Sequence, residues 1–168
     1  MTSKTPDSKK LVINTSPMIA LVASGNQLDI LQRLYTEVIV PNEVAQEMRQ
    51  AGEKGLAVTE FISASWLNCL PHPVKTSLYL QNSLDPGEAA VIQTALDRGI
   101  ETVCIDEAAG RRVARLHGLK ITGSIGVLIR AKQKGMNISI TESIHNMRTN
   151  GIWISDHLAG MAIKLSGE

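Results

Sequence analysis

Two acids mark the stretches of this chain best suited to chemistry. Asp85-Pro86-Gly87-Glu88 reads as a turn opening a helix, with Glu88 in its first turn and an apolar face of Ala89, Ile92, Ala95 and Leu96. Thr102-Val103-Cys104-Ile105 reads as a buried strand, and Asp106 sits where it stops. Ligand groups in open parallel sheets collect outside the carboxyl ends of the strands. Glu88 and Asp106 are therefore expected at one rim. Asn14 and Ser16 follow an apolar run, Leu11-Val12-Ile13, and Glu43 and Glu47 lie four apart on the helix after a second run, Val38-Ile39-Val40. Carboxylates gathered in one cleft repel one another unless a divalent cation offsets them. An all-oxygen set of this kind suits magnesium or manganese, whereas zinc usually recruits cysteine or histidine. Such an ion can bind a phosphodiester oxygen and activate a water.

The elements that must position these groups alternate. After Asn14, Ser16 is expected to cap a short helix with Pro17 at its first position. Leu28, Leu31 and Leu34 mark a second helix, and Pro41 stops the second strand. Gly52 and Gly55 close the helix that carries Glu43 and Glu47. Between 56 and 84 the pattern is weaker: an extended 56–58, a short helix over 61–66, a peripheral strand at 67–70, and helical turns over 75–81. Helices over 86–98 and 107–117, a strand at 120–122 and a helix after Gly123 follow clearly. Thr141 is expected to cap one further helix and Ser155 the last. Short buried strands alternating with helices give an α/β sandwich around a parallel sheet. Residues 1–9 read as a loose leader and 10–168 as one domain. The helices over 141–165 either cover the sheet or form an interface.

The 168 residues, 43% hydrophobic and 20% charged, suit one soluble globule with a real core. A formal charge of +1 argues neither for nor against a nucleic-acid partner, so a local basic patch would have to provide the attraction. Aromatic content of 3% is thin for stacking many bases. Cys69 and Cys104 lack metal or redox spacing and read as small buried hydrophobes, implying a reducing, cytoplasmic setting. A polar start argues against a secretory signal, and no apolar run is long enough to span a membrane.

Taken together, Val12 to Leu21, Ile39 to Glu47, Leu84 to Ile92, Ile105-Asp106-Glu107 and Lys120 to Leu128 resemble the PIN domain family, in particular its VapC-like branch. The resemblance implies a three-layer sandwich with a central parallel sheet of four or five strands and helices on both faces. It also implies a divalent-metal-dependent ribonuclease, in many members a toxin paired with a small antitoxin protein, and a homodimer. Carried over by position, Glu47, Glu88 and Asp106 are the catalytic acids. With Asn14 they form the metal set for Mg2+ or Mn2+. Ser16 orients the first ligand, and Glu43 stands as a near neighbour. Asn14 departs from the aspartate usual at the first position: an amide oxygen can coordinate a hard cation but adds no charge.

Each of these residues also has a plainer structural use. Asp85 and Glu88 form an acidic capping box, and Asp106 can cap the helix after it. Glu43 and Glu47 can be solvent-facing, and Asn14 can be a buried turn former. Ser16 is a cap on either reading. Arg111 and Arg115 share a helix face and could grip RNA phosphates, or simply be solvated. Arg130, Lys132 and Lys134 read as solubilising. His72, His117, His145 and His157 show no ligand spacing, and Trp66 and Trp153 read as anchors of helix packing or of an interface. A competing function is a PIN-fold module that binds nucleic acid or protein without cleaving. A phosphotransfer receiver lacks its acidic pair at Asn14-Thr15, and neither GxGxxG nor a Walker loop occurs.

Overall fold

A computed structural model describes residues 9–51 and 55–168. Five strands, β1 (Lys10–Ile13), β2 (Glu37–Val40), β3 (Asn68–Cys69), β4 (Thr102–Cys104) and β5 (Lys120–Thr122), form one all-parallel sheet in the order β3-β2-β1-β4-β5. The chain builds outward from β1 to β2 and β3, then returns to the other side of β1 with β4 and β5. Strand order therefore reverses between β1 and β4, where an open α/β sheet leaves its crevice. Leu11, Val12 and Ile13 are all 0% exposed, so both faces of the central strand are covered, as its uninterrupted apolar run predicts.

Ten helices occur among the described residues: α1 (Thr15–Ala23), α2 (Asp29–Leu34), α3 (Asn42–Gln50), α4 (Val58–Ser63), α5 (Leu78–Ser83), α6 (Pro86–Arg98), α7 (Ala108–Leu116), α8 (Ser124–Gln133), α9 (Ile140–Thr149) and α10 (Asp156–Leu165). The helix α6 follows its sequence closely. The Asp85 side chain accepts from the Glu88 amide at 2.9 Å, Pro86 fills the first position, and Gly99 ends the helix at φ +64°.

Several local expectations shift. Helix α1 starts at Thr15 with Asn14 as its cap residue, so Ser16 and Pro17 lie inside the first turn. Helix α9 is capped by Ser139, whose hydroxyl accepts from the Glu142 amide, and Thr141 lies one residue inside. Of the expected extended 56–58, residues 56–57 form a turn and Val58 begins α4, which ends at Ser63 rather than Trp66. The helix expected over 75–81 begins at Leu78 behind Ser77 as cap. Gly52 lies outside the described residues. Helix α9 packs on α1, and α10 packs on α8 and α9. Trp153 is 86% exposed and anchors no helix within the chain.

Candidate metal-binding acidic rim

At the carboxyl end of the sheet, the Asn14 amide donates to the Cys104 carbonyl at 3.1 Å and holds the first residues beyond β1 and β4 together. This is the reversal point, and acids reach it from several elements. Carboxylate oxygens of Asp85, Glu88 and Glu107 all lie within 4.8 Å of one another. Glu88 is the buried member at 3% exposure, while Asp85 and Glu107 face solvent. Burial, together with Glu107 and Asp85 beside it, pushes the Glu88 carboxyl up to about 9. The Glu88 carboxyl has no positive partner among the described residues, and a cation bound at this point would favour its charged form. That donor set, all oxygen and rich in negative charge, fits a hard divalent cation.

A second group of oxygens adjoins it through Asp85. A Cβ placed on Gly87 would lie 3.0 Å from Glu47 Oε2, 3.3 Å from Asn14 Oδ1 and 3.6 Å from Asp85 Oδ1. Glycine keeps this point open, so the strand-one amide, the α3 carboxylate and the α6 cap converge on it. Thr15 Oγ1 donates to Glu47 Oε2 at 2.8 Å and fixes that carboxylate toward the rim. Gly110 plays the same part on the other side: a Cβ there would meet Ile105 Cγ2 at 2.9 Å and Glu88 Oε2 at 3.2 Å.

Asp106 stands toward β5 and lies outside the close set of Asp85, Glu88 and Glu107. Its Oδ1 accepts from the Ser124 amide at 2.7 Å and its Oδ2 from the Ser124 hydroxyl at 2.8 Å. Asp106 thus caps α8 from the neighbouring strand end, while Glu107 occupies the cap position of α7 without a side-chain bond to it. Burial raises the Asp106 carboxyl, against the Ser124 bonds and the Arg111 guanidinium, which favour its charged form.

Other residues singled out by sequence take different places. Ser16 Oγ donates to Glu107 Oε1 at 3.1 Å, so it holds an acid from beyond the neighbouring strand β4. Glu43 turns away from the rim: its Oε1 accepts from the Val74 amide at 2.9 Å, and its Oε2 is buried without a partner. Arg111 is half-buried, and its Nη1 donates to the Ile105 carbonyl at 2.9 Å. Arg115 is exposed on the same helix. The starts of α1, α6, α7 and α8 follow directly on rim residues, and their positive dipole ends partly offset the acids.

Sequence reasoning missed the placement of Asp85, Glu107, Thr15 and Ser124. Glu107 follows Asp106 directly at a strand end, and Thr15 follows Asn14 likewise. Those adjacent polar pairs were the available signal.

A family model described as a PIN domain matches residues 10–168. No curated protein matches the chain.

Proposed function

The chain belongs to the PIN domain family, and on that premise we propose that it is a divalent-metal-dependent endoribonuclease, the toxin of a toxin–antitoxin pair. The observation that carries the reading is the set of carboxylates from Asp85, Glu88 and Glu107 within 4.8 Å of one another at the strand-order reversal. Those three, with Glu47 and Asn14 across the Gly87 opening and Asp106 at the β5 side, are the residues that would hold Mg2+ or Mn2+. The bound ion would polarise a phosphodiester oxygen and lower the pKa of a water.

The chain's own part is positioning. Thr15 aims Glu47, Ser16 steadies Glu107, and Ser124 fixes both oxygens of Asp106. Arg115, exposed one turn beyond Arg111, is placed to meet an RNA phosphate. Arg111 keeps further donors beyond the one given to Ile105. The small antitoxin partner and a homodimer rest on the sequence resemblance, as does the VapC-like branch.

Asn14 favours a second reading, a PIN-fold module that binds RNA without cutting it. Its Oδ1 faces the Gly87 opening with no negative charge. The two readings separate on RNA incubated with the native chain, Asp106→Asn and Asn14→Asp in manganese. Cleavage by the native chain that disappears in Asp106→Asn supports the enzyme. Cleavage by Asn14→Asp alone supports the binding module.

A further inference from the structure

A large cleft lies at the opposite pole of the sheet. It has a volume of about 800 Å³, and its walls include Lys10, Tyr35, Arg98, Glu101, Lys120 and Arg130. Lys10 and Lys120 begin β1 and β5, so the cleft opens at the amino end of the sheet, opposite the acidic rim. Lys10, Arg98, Lys120 and Arg130 thus gather at the pole opposite the acidic rim, with Glu37 and Glu101 as the acids paired beside two of them.

We propose that this cleft is a second binding site, for a phosphate-bearing anion of nucleotide type. Arg98 ends α6, where a cation is already favoured by the helix dipole and needs no ligand to explain it. Arg130 lies in the last turn of α8 and is favoured there in the same way; what the dipoles leave unexplained is that these two helix ends meet Lys10 and Lys120, which begin two strands, around one cleft. Lys10 and Lys120 are held by Glu37 at 3.4 Å and Glu101 at 3.3 Å in solvent-exposed pairs. Pairs of that kind contribute little, so an incoming phosphate can displace them at small cost.

Arg130 gives the cleft its fixed element. Its Nη1 donates to the Tyr35 hydroxyl at 3.2 Å, and its guanidinium carbon lies 5.8 Å from the centre of the Tyr35 ring. Tyr35 is 5% exposed and packed in the core, so it orients a planar, multidentate donor that still has free N–H groups. Planar forks match phosphate oxygens, and the volume lies within the range of nucleotide-sized ligand sites. The source of the phosphate is either a free nucleotide or the backbone of an RNA strand.

Isothermal titration of the full chain, in chelator and low salt, tests this with adenosine monophosphate and with a short single-stranded oligoribonucleotide. Saturable binding of one probe per chain is expected. The double variant Arg98→Gln/Lys120→Gln, both at exposed positions, should weaken it about tenfold with an unchanged melting temperature. Arg130→Lys should weaken binding less than Arg130→Gln. Binding of the mononucleotide identifies a free nucleotide as the source, and binding of the oligonucleotide alone identifies RNA. Asp106→Asn should bind as the native chain does, which separates this site from the acidic rim and from any failure of the nuclease reading. No saturable binding of either probe, or binding unchanged in the folded double variant, overturns the proposal. So does loss of binding in Asp106→Asn.

Discussion

Thr15 and Glu47 are joined across 32 residues by a 2.8 Å hydrogen bond from Oγ1 to Oε2. The bond ties the first turn of α1 to the outward face of α3 and brings the acid beyond β2 to the end of β1. An exposed glutamate on a helix is otherwise free to sample several rotamers, so one buried hydroxyl decides where the charge sits.

Thr15→Val should keep the fold, losing about 1 kcal/mol for one hydrogen bond. Because Glu47 then wanders, metal affinity and RNA cleavage should fall by about 10-fold or more, the usual effect of removing a group that orients a ligand. Thr15→Ser should restore most of both. Manganese titration and initial cleavage rates measure this directly.

Gly87 and Gly110 should respond differently to alanine. The Gly87 methyl would meet flexible carboxylate and amide ends at 3.0 and 3.3 Å, so the protein should fold normally and lose metal binding. The Gly110 methyl would press on Ile105 Cγ2 at 2.9 Å within the core, with a stability loss of about 1–3 kcal/mol. Thermal melts beside metal titrations distinguish the two.

Glu88→Gln should leave the metal-free protein nearly unchanged at pH 7. Glu88, pushed up to about 9, is protonated there, and an amide replaces a protonated acid with little change in shape. What should vanish is the rise in melting temperature on adding manganese, since a ligand that binds only the native state stabilises it by mass action.

Glu168 governs stability in acid. Its carboxylate accepts from Lys132 Nζ at 2.7 Å, the Ile140 and Thr141 amides, and the Ser139 hydroxyl. Those bonds, Lys132 first, hold its carboxyl well below the usual range. A carboxyl lowered by folding contributes stability above its unfolded value of about 4.3, and that contribution is lost as pH falls further. Melting temperature should therefore drop below about pH 5, and Glu168→Gln should flatten the drop. Because the group is near the surface, the variant should cost about 1 kcal/mol or less at pH 7 and less still in high salt.

Much of the framework was readable in the chain because local and global signals agree. Leu11-Val12-Ile13 has no polar residue to expose, so a doubly covered strand is its natural state. Helix α6 carries cap, proline and terminal glycine in sequence. The rim was harder to read because capping and ligation call on the same residue types. Asp85 is both a cap and a member of the acidic set, and no spacing rule separates those uses. The partner of Asp106 depends on β4 and β5 lying in register, which puts Ser124 beside it from 18 residues away. Ser16 and Glu107 meet across 91 residues, a contact set only by the order of strands in the sheet. Helix starts slipped by one or two residues where several polar residues adjoin, as at Asn14-Thr15-Ser16 and Ser139-Ile140-Thr141.

Anomalous diffraction from crystals soaked in manganese tests the metal centre most directly. The account predicts a peak within coordination distance of Glu88 and at least one of Asp85 and Glu107, lost in Glu88→Gln crystals. A soaked crystal with no peak at those carboxylates, under conditions where the protein cuts RNA, would contradict it.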